Sequence, residues 1–156
     1  ALTLLSGRKR LVVSRTMSKA FAFAGARVGY LAADADVIDA LRLVRLPYHL
    51  SALTQAAALG ALRHAPAMLA MVDDIVAQRD RISAGLTELG YAPHESWSNF
   101  VLFGGVEDPA AVWQHLYDRG VLIRDVGIPG HLRVTAGTAA ESTAFLEAMA
   151  SVGSAS

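Results

Sequence analysis

Apolar positions along the chain change period several times, and each change marks an element. Residues 11–14 and 28–32 are short β-rich runs that read as strands bracketing a loop of small residues. Val37, Ile38, Leu41 and Val44 then recur at helical spacing, with Asp34 or Asp36 as N-cap, and that helix must stop before Pro47. Ser51 caps an alanine-rich helix to about residue 63, and Pro66, at a first-turn position, opens a longer one ending at Gly90. Met68, Val72, Ile75, Ile82, Leu86 and Leu89 predict one buried stripe on that helix, interrupted only at Arg79, as a packing helix requires.

The pattern then shortens. Residues 99–103 read as a strand followed by Gly104-Gly105, Asp108-Pro109 caps and starts a helix to Arg119, and Gly120 stops it. Residues 121–124 and 131–135 predict two neighbouring strands, and Thr138 with Glu141 has the capping-box spacing for a last helix through Phe145, Leu146 and Met149. A frayed tail is expected at 153–156. The whole order is α/β, without internal repeats.

Composition narrows the function classes. With 156 residues, 53% of them hydrophobic, the chain can bury one substantial core. Fourteen basic and fourteen acidic residues cancel, and Arg8-Lys9-Arg10 is the sole basic cluster, so no nucleic-acid partner is expected. The uncharged run 46–62 contains Tyr48, His49, Ser51, Thr54 and Gln55 and falls short of the ~20 apolar residues that span a bilayer, so no membrane partner is expected. Residues 1–5 are too short for a signal peptide, and their charges follow instead of preceding. The absence of cysteine suits a cytoplasmic protein, and five histidines without ligand spacing predict no metal. Phosphate-binding glycine loops of the Gly-x-x-x-x-Gly-Lys or Gly-x-Gly-x-x-Gly kind are absent as well.

Candidate chemistry concentrates in residues 16–30, Thr-Met-Ser-Lys-Ala-Phe-Ala-Phe-Ala-Gly-Ala-Arg-Val-Gly-Tyr. A lysine that attacks an aldehyde must spend time as a neutral amine, which apolar surroundings and a nearby positive charge favour. Phe21, Phe23 and the alanines supply the first, Arg27 the second. Thr16, Ser18 and Arg27 offer compact donors and a planar cation for a phosphate, with Gly25 expected to let the backbone come close. Lys19 is one of only two lysines, the other lying in the basic run, and the combination is that of a pyridoxal-phosphate site.

This segment resembles the pyridoxal-phosphate attachment signature of the fold-type-I aminotransferases, matching from Thr16 to Gly25 with Arg27 and Gly29 following. Residues 13–22, 46–51, 98–103, 120–125 and 132–133 are similar, in order, to landmarks of the histidinol-phosphate aminotransferase family. The resemblance implies the C-terminal portion of a fold-type-I transferase. Residues 1–46 would be the end of the large-domain sheet, 47–90 linking and packing helices, and 91–156 a small α/β domain. The family's upstream aromatic, Asn and Asp around the cofactor ring have no counterpart here, so the chain is expected to be a fragment. The strands flanking Lys19 would then belong to a larger parallel sheet.

Arg124 and Arg133 carry the second signal. Each sits on or at the end of an apolar strand, where a guanidinium is costly unless an anion meets it. From pattern alone, Arg124 pairing with Asp125 or another acid of the chain, and Arg133 lying on the surface at a strand end, are as open as anion binding. The resemblance implies instead that both bind substrate anions, a carboxylate or a phosphate. It also implies a polar substrate contact at Asn99, where a turn residue is the plainer reading; Tyr48 either lines the active site or packs against a neighbouring subunit. The activity implied is transamination of a phosphorylated amino alcohol or amino acid with a 2-oxo acid, by a homodimer using pyridoxal 5′-phosphate covalently bound at Lys19. An aromatic aminotransferase, a related decarboxylase, and an inactive self-associating fragment are the alternatives.

Overall fold

The computed structural model describes residues 1–152, so the tail expectation at 153–156 lies outside the described residues. The chain divides into two compact units, Ala1–Ala70 and Met71–Ser156.

In the first unit, β1 (Val12–Thr16) and β2 (Gly29–Ala33) pair with each other in an antiparallel two-stranded sheet, Val12 opposite Ala33 and Thr16 opposite Gly29. The expected parallel arrangement of these two strands is therefore corrected. The loop between them closes back on itself, with Met17 N–H donating to the Val28 carbonyl at 3.1 Å, so the connection is a wide hairpin with no crossover. Asp34 caps α1 (Ala35–Val44) through Asp36 N–H, and Ser51 caps α2 (Ala52–Arg63) through Thr54 N–H. Only Met17, Val28 and Ala58 are buried apolar residues here, with Phe21, Phe23, Ala26, Leu50 and Ala61 packed against them. Leu2–Leu5 forms a 3₁₀ turn that the pattern did not predict.

Helix α3 (Ala65–Glu88) contains the division between the units. Its stripe is less uniform than expected. Ile82 and Leu86 are fully buried and Ile75 packs on the same core, whereas Leu89 is 39% exposed. Arg79 is no gap in the stripe: its side chain is 12% exposed, pairs with Asp80 at 2.6 Å and reaches the Ser98 carbonyl at 3.4 Å.

The second unit is a four-stranded antiparallel sheet of order β3-β4-β6-β5, made of Ala92–Pro93, Phe100–Gly104, Leu132–Thr135 and Arg124–Asp125. Helices α3, α4 (Pro109–Tyr117) and α5 (Ala139–Ala150) contribute Ile82, Leu86, Val112, Leu116, Phe145 and Met149 to a core shared with Val101, Phe103, Leu132 and Val134. Alternation along β4 and β6 decides which strand residues join it. Arg81 ties α3 to α5 through the Ala139 carbonyl and Thr143 Oγ1, at 3.1 and 2.7 Å.

Asp108 accepts two N–H groups of the first turn of α4, and Thr138 and Glu141 form the reciprocal capping box of α5. Hydrogen bonds from Thr138 N–H and then its hydroxyl hold the Glu141 carboxyl below its usual range. The strand expected at 121–124 shrinks to Arg124–Asp125, because the Ile123 carbonyl is taken by the Trp113 indole N–H at 2.9 Å instead of a neighbouring strand. The short strand Ala92–Pro93 was not anticipated, since two residues carry no period.

Candidate active site

Lys19 stands at the neck of the β1–β2 loop. The last rung of that neck is Met17–Val28, so Ser18 and Arg27 are the first residues beyond it on opposite arms. Thr16 Oγ1 accepts the Ser18 N–H at 3.0 Å and donates to Ser18 Oγ at 2.7 Å, which leaves the Ser18 O–H to donate elsewhere. Arg27 donates one N–H to the Ala24 carbonyl at 2.9 Å. Among the described residues the ion pairs are Arg42–Asp39 and Arg79–Asp80, so no carboxylate meets Lys19 or Arg27.

Backbone strain is concentrated in the same loop. Ala22 and Arg27 adopt φ of 51° and 53°, two of the three positive-φ non-glycine residues in the chain's described part. Such conformations cost on the order of 1 kcal/mol each and persist where the surroundings impose them. At Gly25 a Cβ would meet no other part of the chain within 4 Å, so the glycine is not required by the loop's own packing. The indispensable glycine is Gly29, where a Cβ would lie 2.5 Å from the Arg15 carbonyl oxygen. The apolar surroundings expected for the amine lie beneath the loop: Phe21 and Phe23 pack on Met17 and Val28, while Lys19 itself is exposed. The resulting donor set, one hydroxyl, one guanidinium and a free amine next in sequence to the hydroxyl, suits a ligand bearing a phosphate and an aldehyde.

The second cluster belongs to the other unit. Arg124 and Arg133 face each other across the β5–β6 ladder, a pairing of like charges that is unfavourable by itself. Asp125 does not neutralise Arg124, because its Oδ1 accepts the Gly127 N–H at 2.8 Å. Arg133 lies over the Phe100 ring, Cζ 4.7 Å from the centroid, and its Nε is buried with no partner. A buried unpaired donor on a cation costs about 1–3 kcal/mol, which an anion between or beside the two arginines would relieve. Asn99 is half-buried at the entry to β4; its carbonyl accepts the Ala136 N–H at 2.9 Å and its amide NH₂ has no partner among the described residues. Tyr48 is 99% exposed, with φ of 52°.

Thr16, Ser18, Lys19 and Arg27 are thus brought together in the first unit, and in the second Arg124 and Arg133 lie on one sheet with Asn99 just before its strand β4. Two cavities among the described residues coincide with neither cluster. One of about 620 Å³ lies against Tyr30, Ile38 and Leu41, the other, of about 420 Å³, against Val121, Val134 and Phe145. Sequence spacing also missed a contact between His94 and His131, whose Nε2 atoms are 3.1 Å apart. Among the described residues no group of three or more His, Cys, Asp or Glu is arranged to hold a metal, and no helix is long and apolar enough to cross a membrane.

The family model for aminotransferase class I and II matches residues 1–149, and the chain belongs to that family. Within it, the chain is 68% identical over 149 residues to the histidinol-phosphate aminotransferase of Paenarthrobacter aurescens (strain TC1), covering 96% of this chain and 40% of that protein. The chain therefore spans about two fifths of the length of such curated relatives. Among solved structures, histidinol-phosphate aminotransferase from Sinorhizobium meliloti in complex with pyridoxal-5′-phosphate superposes with TM-score 0.76 at 28% identity, over 94% of this chain and 42% of that one. L-threonine-O-3-phosphate decarboxylase from Porphyromonas gingivalis gives the same TM-score at 26% identity, over 95% and 48%. The α/β class expected from the sequence, that of part of a fold-type-I transferase, is the one found.

Proposed function

We propose that this chain is the C-terminal part of a pyridoxal-phosphate-dependent aminotransferase that interconverts histidinol phosphate and 2-oxoglutarate with imidazole-acetol phosphate and glutamate. In this reading it serves histidine biosynthesis in the cytoplasm, as part of a homodimer. Residues 1–46 end the large domain, 47–90 link and pack, and 91–156 form the small domain. The observation that carries the reading is the Lys19 loop, which offers a donating hydroxyl beside an amine and an arginine that meet no carboxylate among the described residues. A decarboxylase neighbour superposes as well as one histidinol-phosphate aminotransferase, at TM-score 0.76, so the fold alone does not choose between them; the 68% identity to a histidinol-phosphate aminotransferase favours transamination.

The residues present fit the cofactor. Ser18 and Arg27 would hold its phosphate, with Thr16 aiming the Ser18 hydroxyl at it through its own hydrogen bond, and Lys19 would attach its aldehyde. When bound, pyridoxal phosphate supplies an electron sink for the substrate's α-carbon. The Lys19 amine, once free, would act as the base and acid that carries a proton to and from the substrate's α-carbon. Arg124 and Arg133 hold substrate carboxylate or phosphate, with Asn99 and Tyr48 as further polar contacts. Lys19→Ala in the longer enzyme tests the assignment. Turnover is expected to fall by at least ~10³-fold, the scale of a lost proton carrier, with the fold intact because the Lys19 side chain is exposed. Steady-state rates within tenfold of the parent would sink it.

A further inference from the structure

His94 and His131, 37 residues apart in the chain, meet ring to ring. Their Nε2 atoms are 3.1 Å apart, the ring centroids 5.3 Å apart and the ring planes within 16° of each other. So large a centroid separation for so short an N···N contact puts the rings head to head and nearly coplanar, on an N–H···N line. His131 Nδ1 lies 2.8 Å from the Pro129 carbonyl oxygen, which only accepts. Nδ1 therefore carries a hydrogen, the neutral ring's Nε2 is bare, and His94 Nε2–H is the donor. No metal fits between them, because two in-line bonds of ~2.0 Å span about 4 Å. Gly104 makes room for the ring: a Cβ there would lie 2.8 Å from His131 Nε2.

The link closes on a particular turn. Residues 126–131 join β5 to β6, and so join Arg124 to Arg133. Val106 N–H holds Gly130 at 3.2 Å, His131 N–H closes on the Ile128 carbonyl at 3.0 Å, and His94 supplies the tie from outside the turn through a side chain. We propose that His94 and His131 are positioning residues, whose shared hydrogen fixes the 126–131 turn and thereby sets Arg133 opposite Arg124 for an anion. This rests on the anion-binding reading of the two arginines. One extra proton leaves the link in place, since the imidazolium still donates Nε2–H to a bare nitrogen. Two extra protons set N–H against N–H and cation against cation, and the link opens. The acids on the elements around the pair are Glu95 beside His94, Glu107 and Asp108 after Val106, and Asp125 at the turn's entry. Asp125 and Asp108 cap backbone N–H groups, and neither ring has an ion pair among the described residues.

The test uses the chain with sulfate, a dianion that does not titrate between about pH 5 and 7.5, followed by the amide shifts of residues 124 and 133, together with hydrogen exchange at the Val106 and His131 amides. His94→Leu is expected to speed that exchange and weaken sulfate by about three- to tenfold each, the worth of one hydrogen bond. His94→Gln, which keeps a donor at the same reach but cannot take the second proton, should restore both and flatten their pH dependence. Gly104→Ala, by displacing the ring, should repeat the leucine result. Glutamine behaving like leucine, or exchange and sulfate binding indifferent to both, would overturn the proposal while sulfate still bound the arginines. Absence of any sulfate shift in the unaltered chain, with exchange responding as expected, would instead remove the arginine reading and the positioning role with it.

Discussion

Among the described residues from Met71 onward, thirteen buried apolar side chains form one cluster, whereas in Ala1–Ala70 the buried cluster is Met17, Val28 and Ala58. The two regions do not differ in how many large apolar residues they own so much as in where those residues point. In the first unit Leu43, Val44, Leu46, Leu53 and Leu59 are 59–87% exposed. Fully burying one such side chain is worth ~1.5–3 kcal/mol, so the unit that carries Lys19 leaves several times that amount unrealised. Local devices hold it instead: the hairpin rungs, the Asp34 and Ser51 caps, the Thr16–Ser18 hydrogen bonds. Since the chain spans two fifths of its curated relatives, the proposal that more polypeptide covers this surface follows from the contrast.

The largest effect that could break the contrast is on activity. The 156 residues alone are expected to self-associate through the first unit and to show no turnover with glutamate, and to gain it when joined to the upstream half. Sedimentation and an assay on a sample shown by mass spectrometry to hold no longer chain decide the matter. A monomer with measurable turnover would mean that the exposed leucines need no cover.

Next in size is the core itself. Phe103, fully buried between the Tyr91 and Phe145 rings, should cost ~3–5 kcal/mol on replacement by alanine. Leu53→Ala, at 84% exposure, should stay within ~0.5 kcal/mol in the isolated chain and rise to core-like values only in the longer enzyme. Denaturant unfolding of both variants in both contexts measures it; equal costs in the isolated chain would erase the distinction between the units.

What the sequence made legible follows the same division between local and distant. The caps at Asp34, Ser51, Asp108 and Thr138 were readable because each acts over two or three residues. The composition of the Lys19 loop was readable for the same reason, and the resemblance extended it. The antiparallel β1–β2 pairing, the register that sets Arg124 against Arg133, and the His94–His131 contact depend on which strands meet and in what alignment. Periodicity says which face of a strand is apolar but not its neighbour. Residues 121–123 failed for a different reason: an apolar run with β-rich composition was claimed by one indole N–H before a strand could use its carbonyl.

The charged groups permit a finer separation. Arg27→Ala removes a charge-assisted contact worth ~1.5–3 kcal/mol, so pyridoxal phosphate affinity of the longer enzyme should drop by roughly ten- to a hundredfold with the substrate Michaelis constants less affected. Arg133→Lys should do the reverse, raising the Michaelis constant because an ammonium lacks the two-pronged fork, and leaving the cofactor's absorbance alone. Equilibrium dialysis and steady-state kinetics on the pair resolve the two roles. Both variants acting on the same constant would contradict the assignment of one cluster to cofactor and the other to substrate.

The smallest expected effect lies at the start of α5. Glu141 Oε2 accepts the Thr138 N–H at 2.7 Å and its hydroxyl at 2.9 Å, which lowers its pKa from 4.5. A carboxyl whose folded pKa is depressed contributes stability that is present above the unfolded value and lost as pH falls through the folded one. Glu141→Gln keeps an acceptor oxygen but not the charge, so the two proteins should differ in Tm at about pH 6 and converge toward about pH 3. Because the carboxylate is exposed, the difference should also shrink with salt, unlike the Phe103 effect, which apolar burial sets. Thermal melts across pH at low and high ionic strength check both trends. A gap in Tm that survives unchanged at low pH would show that Glu141 acts through its shape and packing on Gly137, not through the charge that the capping box stabilises.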